Sequence, residues 1–132
     1  MKFTLQQLKA AHEKVKSGAD FPGYIKEIKA LGLARYIYSV IDGSIIYYGN
    51  EHTVSAPAIY TPKSISLNAS TDMLRGIIAT HQQGKTDFIT FCQQAAEAGV
   101  RQWVIDTNRM LCIYEDKDGN EMIAELIPDS GY

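Results

Sequence analysis

An α+β fold, an antiparallel sheet with helices on one face, is predicted by three observations. Two amphipathic helical patterns precede a run of β-branched and aromatic residues broken at Asp42-Gly43, the same order recurs in the second half of the chain, and a glycine stands between helix and strand each time, at Gly32 and at Gly99. The pattern reads as one domain over residues 1–132, made of pseudo-repeats at about 4–60 and 71–127.

The first helix starts where its signals coincide: Thr4 caps, Gln7 completes a capping box, and Phe3 staples against Leu8. Leu5, Leu8, Ala11, His12 and Val15 form its apolar stripe, Gln6, Lys9, Glu13 and Lys16 the polar side, and Ser17-Gly18 its end. Asp20 is expected to cap a second helix with the stripe Phe21, Tyr24, Ile25, Ile28 and Leu31, Pro22 in its first turn and Gly32 at the left-handed position that stops it. Leu33–Ile41 and Ser44–Tyr48 then read as strands of a hairpin with a two-residue turn at Asp42-Gly43, which pairs Tyr38 with Tyr47. The unit is ααββ, or ααβββ if His52–Ser55 forms a weaker third strand; Pro57 and Pro62 mark the connector.

Sliding the chain by 67 positions puts Asp20, Phe21, Gly32 and Tyr47 on Asp87, Phe88, Gly99 and Tyr114. The same shift puts Tyr24, Tyr36, Ile37 and Ile46 on Phe91, Trp103, Val104 and Ile113, with no gap from Asp20 to Tyr48. In the leading helix the offset becomes 69, matching Leu5, Leu8 and His12 to Leu74, Ile77 and His81. Cap, stripe, stop glycine and hairpin recurring in one order is the argument for an internal duplication.

Alternation sorts each hairpin into two faces. One carries Tyr36, Tyr38, Val40, Ile45 and Tyr47, and in the second copy Trp103, Ile105, Thr107, Cys112 and Tyr114; helices are expected over it. The other mixes Leu33, Ile37 and Ile46 with Arg35 and Ser39, and Val100, Val104 and Ile113 with Gln102 and Asp106, so it is expected to meet solvent or a partner.

Composition sets outer bounds. The chain is 45% hydrophobic and 21% charged, values of an ordinary folded domain. It has no apolar run long enough for a membrane span and no basic-then-apolar leader pattern, so no membrane association and a cytoplasmic location are expected. Cys92 and Cys112 are too few for a disulfide framework, lack metal-pair spacing and are expected as reduced, buried thiols. A net charge of −2 gives no footprint for nucleic acid, and none is expected as a partner. The charge is uneven: residues 1–66 hold 8 basic and 5 acidic side chains, residues 67–132 hold 5 and 10. Such a dipolar chain can associate head to tail.

No catalytic motif stands out. His12 and His81 occupy matching places on the apolar stripe of each leading helix, where a packed structural role competes with ligand binding or proton transfer. Two imidazoles without carboxylates fall short of a metal site, so neither metal nor cofactor is expected. Tyr36 and Trp103 are candidate binding residues on the aromatic faces, which core packing explains as readily as base stacking. The segment Glu115–Glu121 places its glycine too early for a calcium loop and reads as a hairpin turn, and His52 with Ser55 lacks a nucleophile elbow.

The run His81-Gln82-Gln83-Gly84-Lys85-Thr86-Asp87-Phe88, with Ala95-Ala96-Glu97-Ala98-Gly99-Val100 and Trp103-Val104, resembles a family of small bacterial proteins of unknown function, some labelled phage envelope protein. Phe3-Thr4-Leu5, the segment from Lys14 to Pro22 and Tyr47-Tyr48-Gly49 extend the resemblance over the whole chain. It implies a bacterial or prophage-related protein and brings no catalytic residues. The functional expectation is a non-enzymatic, homodimeric binding or regulatory module that meets a protein partner or its own copy through the mixed sheet face. The alternative is a small-molecule-binding protein or enzyme with a pocket between the repeats, near His12 and His81.

Overall fold

The computed structural model describes residues 3–15 and 20–127. Helices α1 (Leu5–His12) and α2 (Phe21–Ala30) lead into strands β1 (Leu33–Ser39), β2 (Ile45–Gly49) and β3 (Thr53–Ala56). Helices α3 (Thr71–Gln82) and α4 (Phe88–Glu97) then lead into β4 (Val100–Asp106), β5 (Leu111–Asp116) and β6 (Glu121–Leu126). The order ααβββ thus occurs twice. The six strands form one antiparallel sheet in the order β3-β2-β1-β4-β5-β6, so each half contributes three adjacent strands and the halves join at β1 and β4.

Local chemistry starts and stops the helices. Thr4 Oγ1 accepts from the Gln7 N–H at 3.2 Å while the Thr4 N–H donates to Gln7 Oε1 at 2.8 Å, the reciprocal box. Ser70 caps α3 through the Met73 N–H, and Asp87 caps α4 through the Thr90 N–H at 2.7 Å. Asp20 does not do the same: its backbone is helical, φ −86° and ψ −12°, and its side chain makes no capping bond. An N-cap side chain reaches the next turn only from an extended backbone, which Asp87 has and Asp20 lacks. The expected stop of α1 at Ser17-Gly18 lies outside the described residues. Gly32 and Gly99 follow their helices with φ +101° and +93°. The left-handed state turns each chain straight into β1 and β4.

The caps Thr4 and Ser70 are 66 positions apart, whereas the apolar stripes suggest 69. The two alignments differ by about one helical turn, so either keeps the stripe on one side. The caps align the starts of the two helices, and because α3 has 12 residues against 8 in α1, the offset is larger at their ends.

Both hairpins pair differently from the expected register, and by the same amount. Tyr38 lies opposite Ile45 and Tyr36 opposite Tyr47; Ile105 lies opposite Cys112 and Trp103 opposite Tyr114. The first turn is wider than two residues: Ser39 pairs with Ser44 O at 2.9 Å, the Gly43 N–H reaches back to Ser39 O, and Asp42 Oδ1 accepts from the Ser44 N–H and hydroxyl. A self-satisfied carboxylate turn of this kind competes successfully with a tight turn. A slip of two residues preserves the faces.

At the join, Ile37 lies opposite Val104, flanked by Tyr36–Ile105 and Tyr38–Trp103. Ile37 and Val104 are 67 apart, so the register is symmetric about that pair. The hydrogen bonds beside it follow: Val40 N–H donates to Arg101 O at 2.8 Å, and Thr107 N–H to Ala34 O at 3.1 Å. Thr107, fully buried, also donates its hydroxyl to the Leu33 and Ala34 carbonyls at 2.7 and 2.8 Å.

All four helices cover the face of Tyr36, Tyr38, Tyr47, Trp103, Ile105, Cys112 and Tyr114, which together with Leu8, Ile25, Ile28, Leu74, Phe91 and Cys92 make the core. Leu33 and Val100 belong to this core too, not to the mixed face as expected. The pairing slips by one residue after each of them, between Leu33 and Arg35 and between Val100 and Gln102. One extra residue in a strand reverses which side the neighbour faces.

Candidate functional site

The candidate residues on the aromatic face are structural members of the core. Trp103 stacks on Tyr38 at 4.3 Å with an 8° interplanar angle, and Phe88, Phe91 and Tyr114 surround it. Tyr36 packs against Tyr47 at 5.4 Å and is buried. Bases cannot stack on rings that the helices cover. Burial pushes the phenols of Tyr24, Tyr36, Tyr38 and Tyr114 well above their ordinary range, so they stay protonated donors.

His12 and His81 play parallel local roles. The His12 ring meets Tyr24 edge-on at 5.3 Å, and the His81 ring stacks on Phe91 at 4.4 Å, Tyr24 and Phe91 being 67 apart. His81 Nδ1 lies 3.0 Å from both Thr86 O and Thr86 Oγ1, tying the end of α3 to the loop before α4, and is half-buried; His12 is exposed. The structure does not bring the two rings together: α1 packs along β3 and α3 along β6, at opposite edges of the sheet. A shallow groove of about 260 Å³ lies between α1 and α2, lined by Ala11, Lys14, Tyr24 and Glu27 among others, within one half rather than between the two.

Both thiols are buried. Cys92 Sγ lies 3.2 Å from Tyr38 Oη, whose hydroxyl also reaches Tyr60 Oη at 3.4 Å, and Tyr60 donates to Val40 O at 2.7 Å. Burial raises the Cys92 thiol and pushes Cys112 up to about 12. A thiol that high is not a nucleophile at neutral pH. No group of three or more His, Cys, Asp or Glu among the described residues is arranged to hold a metal ion.

Glu125 is a carboxylate on the core side of the sheet. On edge strand β6 opposite Cys112, it accepts from Gln82 Nε2 at 2.9 Å, and partial burial raises its pKa despite that bond. A carboxyl whose folded pKa exceeds its unfolded value opposes folding fully above the folded pKa, and that opposition fades as pH falls through it and is gone below the unfolded pKa. Glu125→Gln keeps the acceptor and removes the charge. It is expected to raise the melting temperature at pH 7, with the difference from wild type vanishing in thermal scans taken at pH values low enough to protonate Glu125 in both the folded and the unfolded chain.

The opposite face of the sheet carries no helix among the described residues, and it is the candidate site. Its central row crosses all six strands as Ser55, Ile46, Ile37, Val104, Ile113 and Ala124. Beside it runs Thr53, Tyr48, Arg35, Asp106, Leu111 and Leu126, and on the other side Ser39, Gln102, Glu115 and Glu121. Ile46 is 41% and Leu126 73% exposed, while Ile37, Val104 and Ile113 are half-buried. Arg35 holds its guanidinium 4.2 Å over the Tyr48 ring, and Asp106 is bound to Arg109 Nε at 2.9 Å. Partial burial would raise Asp106, but the Arg109 and Asn108 N–H groups and the guanidinium hold it below the ordinary carboxylate range. Gln102 donates to Glu115 at 2.7 Å.

These polar groups are therefore already partnered around an apolar centre. Alternation along the strands marks the same face in the sequence; that no described helix lies over it is visible only in the fold. No helix among the described residues is long and apolar enough to cross a membrane. Residues 9–126 match the family model described as Protein of unknown function (DUF1398), so the chain belongs to that family. No curated protein matches the chain.

Proposed function

We propose that this member of a family without an assigned function is a non-enzymatic binding or regulatory module whose interaction surface is the open sheet face. The observation that carries the reading is the row Ile46, Ile37, Val104 and Ile113, apolar across four strands with no helix of the described residues over it. Burying such a row removes apolar area from water, worth about 25 cal/mol per Å². Exposed apolar patches rimmed by polar groups mark protein contacts in soluble domains.

The remaining chemistry supports the same reading. High thiol and phenol pKa values leave those groups unsuited to nucleophilic work, and the aromatic residues serve the core. The partner is a protein, a second copy included, rather than nucleic acid, in keeping with the acidic net charge. A cytoplasmic, prophage-related setting and descent of the halves from one duplicated unit belong to this reading. Caps at Thr4 and Ser70, positive-φ glycines and matching hairpin registers support the duplication.

Size-exclusion chromatography with light scattering tests it. Wild type is expected above the single-chain mass at micromolar concentration, and Ile46→Lys and Val104→Lys at the single-chain mass with unchanged circular dichroism. Lysine variants that keep an elevated wild-type mass would place the contact elsewhere and sink the reading.

A further inference from the structure

We infer that the occupant of the open face is a second copy of this chain, stacked face to face about a two-fold axis that runs parallel to β1 and β4 and passes over the Ile37–Val104 pair. The inference rests on the reading of that face as the interaction surface and adds the partner and its orientation.

Area sets the overlap. Six strands about 4.8 Å apart, each offering about five residues at ~3.3 Å, give a footprint of roughly 475 Å². A stable interface removes about 800 Å² of accessible surface per partner. Full overlap comes nearest to that figure, and any partial overlap falls further short of it. The axis must therefore pass near the centre of the sheet, where Ile37 meets Val104.

Charge and apolarity set the direction. In aligned packing, sheets keep their strands within about 30° of one another, and in that packing the interfacial axis runs either along the strands or across them. An axis across the strands lays the acidic half of one copy on the acidic half of the other. It also puts Leu111 and Leu126 over Glu115 and Glu121 of the second copy, apolar groups on carboxylates.

An axis along the strands exchanges the halves while keeping each row on itself. Arg35, the one charge that β1–β3 display on this face, then meets Asp106 of the second copy, and the reverse contact forms by symmetry. Tyr48 meets Leu111, Ile46 meets Ile113 and Ile37 meets Val104. At chain level the half with 8 basic and 5 acidic side chains covers the half with 5 and 10. Apolar groups face apolar groups and opposite charges approach, as an isologous interface requires.

Cross-linking separates the arrangements. Ile46→Cys and Ile113→Cys chains are prepared separately, mixed and treated with a short bis-maleimide; the native thiols Cys92 and Cys112 are buried. The expected result is a light-scattering mass twice that of the chain for wild type, and a mixed Ile46→Cys/Ile113→Cys product exceeding either self-linked product. Dominant self-linked Ile46→Cys would establish the axis across the strands and overturn this inference while leaving the open face as the interaction surface. A monomeric wild type overturns the second copy as occupant. A dimer that forms no link from either position overturns both the inference and the reading beneath it. Tyr48→Cys with Leu111→Cys repeats the test on the adjacent row if either first variant melts below wild type.

Discussion

Trp103→Ala is expected to lower the unfolding free energy by about 4 kcal/mol, within the range for removing a large buried aromatic side chain. Trp103 is 6% exposed and lies among Tyr38, Phe88, Phe91 and Tyr114, in the middle of the sheet where β4 meets β1. Tyr38, the ring stacked on Trp103, is held at its hydroxyl by Cys92 and Tyr60 and cannot swing into the space that Trp103 leaves. The cavity therefore persists, and cavity volume sets the cost. Urea denaturation followed by circular dichroism reads the midpoint. A loss below about 1 kcal/mol would instead be the behaviour of a surface residue.

The same residue illustrates what was legible in the sequence. Alternation in Val100–Asp106 already puts Trp103 with Ile105 on one face, and the stop glycine at Gly99 already marks the helix-to-strand junction. These signals are local, since a period of two and a missing Cβ act on the residue that carries them. The α+β class, the helix-covered aromatic face and the third strand at Thr53–Ala56 follow from such signals. Membership of a family of unknown function was legible in the same way, from short runs of identity.

What was not legible depends on energies that compare two nearly equal local solutions. The hairpin register turns on whether Asp42-Gly43 closes a two-residue turn or whether Asp42 folds onto Ser44, and the hydrogen bonds of the wider loop decide it. Leu33 and Val100 sit inside because one residue is inserted after each, an event that alternation cannot announce. Asp20 and Asp87 look alike in sequence, yet only Asp87 has the extended backbone that lets its side chain cap. The candidate site was half legible: the residues of the open face follow from alternation, but the separation of His12 from His81 follows from strand order. With β1 and β4 central, the leading helices are carried to opposite edges.

Gly99→Ala is expected to cost about 3 kcal/mol, from two separable sources: roughly 1–2 kcal/mol for a side chain in the left-handed region and about 1–3 kcal/mol for overpacking. A Cβ on Gly99 would lie 2.6 Å from Ala69 Cα and 3.1 Å from Ala69 N, backbone atoms that cannot swing aside. Ala69 directly precedes Ser70, whose N–H donates to Ala98 O at 2.9 Å and whose hydroxyl caps α3. Relief of the clash would therefore move the start of α3 away from the end of α4 and loosen both. Gly84 supplies the control, since its φ is +76° and nothing lies within 4 Å of a Cβ placed there. Gly84→Ala should show the dihedral cost alone, so the difference between the two variants in denaturant unfolding measures the contact with Ala69. Equal losses would mean that the connector before α3 yields freely, and that Gly99 is required for its backbone angle and not for the close approach.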